Sequence, residues 1–449
     1  MSYIERPRFA CALGGVLSTI TALPGAVPII HAAAGCGGNL AAAQQSGNGF
    51  LGAGYCGGLA LPSSNVAENE IVFGGEDRLQ EQIRNTFDLI EAELYVVASG
   101  CMTEIIGDDI KNVAGIFKQQ GKPIISINAG GFIGNSYKGF EITLETLFRE
   151  WVKPAVEKDA KRINLWGVVP GLDPFYRGDL LELKRLLQLL GIEVNTFFSD
   201  DETLDNLADA AIAIGNVVVS RTYGGAAAAA FEEKFGTPYI VTDLPIGPTA
   251  TAEFLRTVAG FAGIDNQQTE RLIAIETQYY YRFIERIADL YTDLDLQHYA
   301  VVVGNANYSF ALSRFLADDL GWLPELVVIT DPLPEEQQTT LHAMFQRITS
   351  AKPPRLVFET DTSEVGRHLT AAWPISSQER YFQGFNPAFV IGSSLERDLA
   401  GQIGAKTLSV SYPVSDRVIL DRSYAGFRGG LHLVEDLLDV QVAGGGRYS

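Results

Sequence analysis

Repeatedly along this chain, an apolar run of strand length ends in a turn bearing Gly or Pro and gives way to an amphipathic helix. The stretch RINLWGVVPGLDPFYRGDLLELKRLLQLLGIEVNTFF predicts a strand at 163–170, a helix over about 177–190 and a second strand at 192–198. Leu180, Leu181, Leu183, Leu186, Leu187, Leu189 and Leu190 supply a stripe at helical spacing for burial. AIAIGNVVVS, RTYGGAAAAAFEEKFG and PYIVTD repeat the alternation, with Ala226–Ala230 as a strong helix former. HYAVVVGNANYSFALSRFLADDLGW with LVVITD does so again, as does PAFVIGSSLERDLAGQIGA with TLSVSYP. Such alternation predicts an α/β fold whose sheets are mostly parallel and covered on both faces. At 449 residues one core does not suffice, and the alternation divides into blocks near 1–157, 158–295 and 296–449.

Charge removes one class of function. A net charge of −20 with no basic stripe argues against nucleic acid as a partner. Residues 11–34 are nearly uncharged and follow Arg6 and Arg8, as a signal peptide or membrane span would. Pro24, Pro28, His31 and the Gly14-Gly15 pair interrupt a spanning helix, and Glu5 spoils a basic leader. The stretch is therefore read as buried strands and turns, with no membrane partner and a cytoplasmic location.

Several motifs can be set aside. Gly47-Asn48-Gly49-Phe50-Leu51-Gly52 matches G-x-G-x-x-G, but helix-like NLAAAQQS precedes it where a dinucleotide site needs a strand. No G-x-x-x-x-G-K-[ST] occurs, so nothing assigns ATP to this chain. The histidines (His31, His298, His342, His368, His432) have no zinc spacing and read as surface or satisfied core residues. No G-x-S-x-G elbow supports Ser-His-Asp chemistry.

The cysteines remain. Cys11, Cys36, Cys56 and Cys101 all fall in the first quarter of the chain, in a protein too large to need disulfide staples. Cys36 in AAAGCGGNL, Cys56 in GAGYCGGLA and Cys101 in ASGCMTE each adjoin glycine, where a bulky object can approach the backbone. Thr103 reads as a helix N-cap, which would set the Cys101 sulfur by a helix N-terminus that favours thiolate. Glu104, Asp108 and Asp109 read as helix-start and surface residues. Thiolates in Gly-rich loops suit an iron–sulfur cluster, and buried inert thiols fit the same residues. The spacings match no ferredoxin or zinc pattern, so local chemistry leaves both readings open.

PRFACALGGVLSTITALPGAVPIIHAAAGC, SSNVAENEIVFGGEDRL and SGCMTEIIGDDI resemble, in order, the first domain of nitrogenase component 1 subunits. SYPVSDRVILDRSYAGFRGGLHLVEDLLD resembles that family's last segment, so the likeness runs the length of the chain. The resemblance implies three Rossmann-like domains. It matches Cys11, Cys36 and Cys101 to the cysteines that hold half of an eight-iron, seven-sulfide P-type cluster shared with a partner subunit. It matches Phe73 to an aromatic at the docking face for an ATP-dependent, homodimeric iron–sulfur reductase. No cysteine follows Cys101, and Ser411-Tyr412-Pro413 carries no histidine. The chain therefore resembles the β-type subunit of an α₂β₂ heterotetramer, with the catalytic iron–sulfur cofactor in the α-type partner.

The departures narrow the resemblance further. Gly131, in Ala129-Gly130-Gly131-Phe132-Ile133-Gly134, stands where β chains usually carry a serine near the cluster. The H-x-R-E-P segment is replaced by NGFLGAGYCGG. Cys56 has no clear counterpart and is read as a bystander, with an extra ligand as the alternative. These features look most like the methylthio-alkane reductases, anaerobic relatives that cleave C–S bonds of small thioethers to salvage sulfur. A β subunit of an N₂-fixing nitrogenase and a cofactor-assembly scaffold are the alternatives.

Overall fold

The computed structural model describes residues 4–50, 60–293, 298–348, 350–373 and 389–444. Among the described residues twelve strands form three sheets, and every strand pairing within them is parallel. The first holds β1 (Ala26–His31), β2 (Leu94–Ser99) and β3 (Ile124–Ile127) in that order. The second has β4 (Asp159–Trp166), β5 (Glu193–Asn195), β6 (Ala213–Val218) and β7 (Tyr239–Val241), ordered β5-β4-β6-β7. The third comprises β8 (Tyr299–Gly304), β9 (Leu323–Ile329), β10 (Arg355–Phe358), β11 (Phe389–Gly392) and β12 (Lys406–Ser409), ordered β10-β9-β8-β11-β12.

Both faces of the sheets are covered, as the alternation requires. In β1, Ile30 faces the large core that runs through all three sheets, and Ile29 faces a second core with Leu79, Ile83, Val113 and Phe117. In β8, Val302 joins the large core while Val301 and Val303 join a third with Leu326, Val328 and Val390. Strands buried on both faces read as continuous apolar runs, which is what VVVG and LVVI are.

In chain order the first eight helices are α1 (Ala12–Thr21), α2 (Ala34–Gly47), α3 (Glu68–Phe73), α4 (Glu76–Leu89), α5 (Cys101–Ile106), α6 (Ile110–Gln119), α7 (Ser136–Glu150) and α8 (Tyr176–Leu189). Residues 12–21, expected as strand and turn, are helix α1, with Ala12 through Ile20 buried. The Gly14-Gly15 pair misled the expectation because it serves a contact and not a break. A Cβ at Gly15 would lie 1.9 Å from the Ser136 carbonyl oxygen, and one at Gly139 would lie 2.1 Å from that of Ala12. Glycine thus lets α1 and α7 touch backbone to backbone, which brings the starts of both helices together. Among the described residues no helix is long and apolar enough to cross a membrane.

Smaller differences have local causes. β4 begins at Asp159 and stops at Trp166, because Gly167 turns the chain at φ +127° and leaves Val168 and Val169 buried in a loop. β5 ends at Asn195, two residues before Phe197 takes φ +66°. Leu181 and Leu189 fall off the buried stripe of α8 and are exposed, while Leu180, Leu183, Leu186, Leu187 and Leu190 are inside. Helix α2 runs directly into Gly47, so the G-x-G-x-x-G stretch follows a helix, as its rejection supposed.

Candidate functional site

The carboxyl ends of parallel strands are where open α/β sheets place their chemistry. In the first sheet the chain leaves β1 toward Cys36, β2 toward Cys101 and β3 toward Gly131. Two bonds stitch the first two exits together: the His31 carbonyl accepts from the Gly100 amide at 2.9 Å and from the Thr103 hydroxyl at 2.8 Å. Gly100 makes that approach possible, because a Cβ there would sit 2.6 Å from the Ala32 methyl.

Cys101 is the first residue of α5, after Gly100. Thr103 therefore lies two residues inside the helix and is not its N-cap; its hydroxyl donates to the His31 carbonyl and accepts from the Gly100 amide at 3.2 Å. Cys11 stands at the head of α1 and forms an isolated antiparallel bridge with Asn135, the residue that caps α7 through its side chain. Cys36 lies in the first turn of α2. All three are free and exposed. Beside Cys36, a Cβ on Gly35 or Gly38 would meet no described atom within 4 Å, so that flank is open.

Gly131 joins the first and last of these thiols. Its amide donates to the Cys101 sulfur at 3.0 Å, and a Cβ on it would meet that sulfur at 3.1 Å and the Cys11 Cβ at 3.3 Å. The Cys36 thiol is pushed up, first by burial and then by the charges of Cys11 and Cys101, so the three thiols share one electrostatic neighbourhood. Among the described residues no group of three His, Cys, Asp or Glu could hold a metal ion. The three thiols are exposed beyond the carboxyl end of the first sheet, where a multi-iron cluster completed from outside this chain could be held. Cys56 lies outside the described residues.

The acidic residues after Cys101 support this face; Asp109 and Glu104 meet the expectation of a helix start, Asp109 capping α6 through Asn112 N–H at 2.9 Å and Glu104 lying in the first turn of α5. Glu104 turns inward: its Oε1 accepts from the Gly130 amide at 2.7 Å and from the Ser99 hydroxyl at 2.5 Å. It thereby holds the 129–131 loop against α5. Asp108, expected at the surface, has a side chain only 3% exposed and meets His31 Nε2 at 2.9 Å. His31 Nδ1 lies 2.9 Å from the Ser64 hydroxyl. Burial holds the His31 imidazole below its ordinary pKa against the pull of Asp108, which favours the neutral ring. A carboxylate only accepts, so Nε2 carries the proton and the Ser64 hydroxyl donates to Nδ1. This Ser-His-Asp series is a closed core network, with Ser64 itself wholly buried and no open nucleophile. Histidine spacing could not reveal it, because its partners lie 33 and 77 residues away.

Phe73 ends α3 and is 86% exposed, beside Val72 at 71%. Gly74 follows at φ +91°, and the Gly75 amide donates to Asp108 Oδ1 at 2.9 Å. The Phe73 turn thus stands on the same carboxylate that holds His31.

Elsewhere, the ends of β6, β8 and β9 meet in a filled polar interior. Tyr137 and Tyr223 stack there at 4.0 Å, Asp331 accepts from the Tyr223 hydroxyl, and Asp173 accepts from Asn305 at 2.6 Å. Burial raises Asp173 to about 7 and Asp331 to about 6. The cavity beside them, lined by Arg221, Asp243 and Asn307 among others, is about 10 Å³, far below the several hundred that a sizeable ligand needs.

Comparisons agree with this architecture. The family described as nitrogenase component 1 type oxidoreductase matches residues 11–441. The nitrogenase molybdenum-iron protein beta chain of Methanococcus maripaludis is 25% identical, over 97% of this chain and 94% of its own length. From the same organism (strain S2), the nitrogenase iron-molybdenum cofactor biosynthesis protein NifE is 26% identical over 68% of this chain and 62% of its own. A solved structure titled "Nitrogenase Cp1 at pH 6.5" superposes with a TM-score of 0.81 at 19% identity, covering 100% of this chain and 95% of that one. The chain belongs to the nitrogenase component 1 family of oxidoreductases and is similar to its β chains over nearly its whole length.

Proposed function

We propose that this chain is the β-type subunit of a nitrogenase-like reductase, paired with an α-type catalytic subunit in an α₂β₂ assembly. The observation that carries the reading is the meeting of Cys11 and Cys101 at Gly131, with Cys36 exposed just beyond the adjoining strand β1. These thiolates would hold this chain's share of a P-type cluster, which when bound supplies one-electron storage between a reductase and the catalytic partner. Around it, this chain's residues have separable tasks. Gly131 donates a hydrogen bond to the Cys101 sulfur and so fixes its position. Glu104 fixes the loop that carries Gly131. Phe73 and Val72 offer apolar area for an ATP-dependent iron–sulfur reductase to cover. Substrate chemistry is assigned to the partner chain, in keeping with the likeness to β chains.

For the substrate, we propose small methylthio-alkanes cleaved reductively at carbon–sulfur bonds. Support comes from the sequence departures at Gly131 and at the NGFLGAGYCGG segment. The likeness to a molybdenum-iron β chain keeps N₂ reduction as the second reading, and that to NifE keeps an assembly scaffold as the third. Anaerobic co-purification with the α-type partner, metal analysis and cluster spectroscopy test the relay. Assays of thioether cleavage against ammonia formation on the same sample test the substrate. Hydrocarbon and methanethiol release over many turnovers supports the proposal. Ammonia as the product overturns the substrate, and the absence of an interface cluster overturns the relay.

A further inference from the structure

The geometry points to His31 and Asp108 as positioning residues that couple a partner seated on the Phe73 turn to the Cys36 and Cys101 segments; this rests on the proposed docking of a reductase at that turn. Asp108 is the common node. Its Oδ1 accepts from the Gly75 amide at 2.9 Å, its Oδ2 meets His31 Nε2 at 2.9 Å, and its own amide donates to the Thr103 carbonyl at 3.1 Å. From His31 the contact continues in two directions. Its carbonyl accepts from Gly100 and Thr103, which flank Cys101, and its backbone leads within five residues to Cys36.

The node has no slack. A Cβ on Gly75 would lie 2.6 Å from Asp108 Oδ2 and 3.1 Å from His31 Cε1. His31 is wholly buried and its other nitrogen is held by Ser64. A close-packed, fully bonded group transmits a displacement instead of absorbing it. By contrast, Val72 and Phe73 on the far side of Gly74 are open, so a partner gripping them moves the Gly75 amide first. The chain of contacts from an exposed turn to two cysteine segments is therefore physically continuous, and its coupling can be measured.

The test uses the complete α₂β₂ complex with the reductase trapped by a non-hydrolysable ATP analogue. Hydrogen exchange is read at residues 71–75 and 100–104, and the reduction potential of the interface cluster is measured with and without the reductase. In the wild type, exchange slows at 71–75, and both the 100–104 amides and the potential shift on docking. Asp108→Ala is expected to keep the slowing at 71–75 and lose the other two responses. Gly75→Ala, which wedges the turn off the carboxylate while keeping the His31 and Asp108 side chains, provides the second variant should Asp108→Ala not fold. A merely structural role would lower stability and leave the docking-dependent shifts intact. Undiminished shifts in the variants overturn the coupling. No slowing at 71–75 in the wild type overturns the docking reading itself, and the coupling with it.

Discussion

The Gly131 amide points at the Cys101 sulfur across 3.0 Å, and the space where a side chain would stand is closed by that sulfur and by Cys11. Gly131→Ala therefore displaces one thiol or the other by a few tenths of an ångström, while the hydrogen bond weakens. Gly131→Ser additionally brings an oxygen into reach of the same face. Redox titration followed by electron paramagnetic resonance should give a changed oxidised-state potential for Gly131→Ser and a smaller change for Gly131→Ala. Identical titrations for both variants and the wild type would remove Gly131 from the site.

Replacing Cys11, Cys36 or Cys101 singly by Ala should strip most of the interface iron, because each thiolate comes from the start of a different helix and none has a described substitute nearby. Cys56→Ala is expected to retain it. Iron analysis of the four anaerobically purified variants decides the assignment.

Phe73→Ala should lower reductase-supported turnover at limiting reductase by about tenfold or more, the usual result of truncating an aromatic anchor. Iron content and thermal stability should stay unchanged, since the ring is 86% exposed and supports no core. A variant that loses iron would place Phe73 in the fold instead.

Asp173 sets a pH dependence with a defined sign. Its carboxyl is raised to about 7 by burial, from an ordinary value of 3.8, so the fold holds a proton that the unfolded chain releases. Its contribution to stability is complete below the ordinary value and is lost as pH rises through about 7. Asp179 and Asp331, each raised to about 6, act in the same direction. Urea midpoints should fall between pH 5 and pH 8, and Asp173→Asn should fall less over the same interval.

Arg8 and Glu396 form a buried ion pair that ties the segment before Cys11 to the third sheet, where Arg8 also donates to the Val303 carbonyl at 3.3 Å. Removing one partner leaves the other charge buried, so Glu396→Gln or Arg8→Met should each cost about 3–5 kcal/mol. Their combination should cost less than the sum of the two. Denaturation of the two single variants and the double variant supplies the cycle.

Much of the site was legible from residue identity alone. Cys36, Cys56 and Cys101 are conspicuous as thiols beside glycines in one region, and it is the family resemblance that adds Cys11 and sets Cys56 apart. Phe73 was found by resemblance, and the turn that exposes it is legible in the Gly74-Gly75 pair. What stayed hidden were groups whose meaning depends on a distant partner. Asp108 and Glu104 read as ordinary surface acids until His31 and Gly130 were found against them. Helix α1 is hidden for a related reason: Gly14-Gly15 looks like a break unless the opposing backbone of α7 is known.

The sequence by itself determined the α/β class and the parallel pairing, because strand and helix periodicity are local properties, and it marked the thiols as candidates without deciding their role. Only the tertiary structure decided that Cys11 and Cys101 meet at Gly131 and that a buried His31–Asp108 pair underlies the Phe73 turn. Both outcomes depend on parallel strands ending together after crossovers of dozens of residues. They depend equally on glycine contacts such as Gly15 against Ser136 and Gly100 against Ala32, which set how closely those ends approach. Distances of that kind are created by packing and are written in no single stretch of the chain.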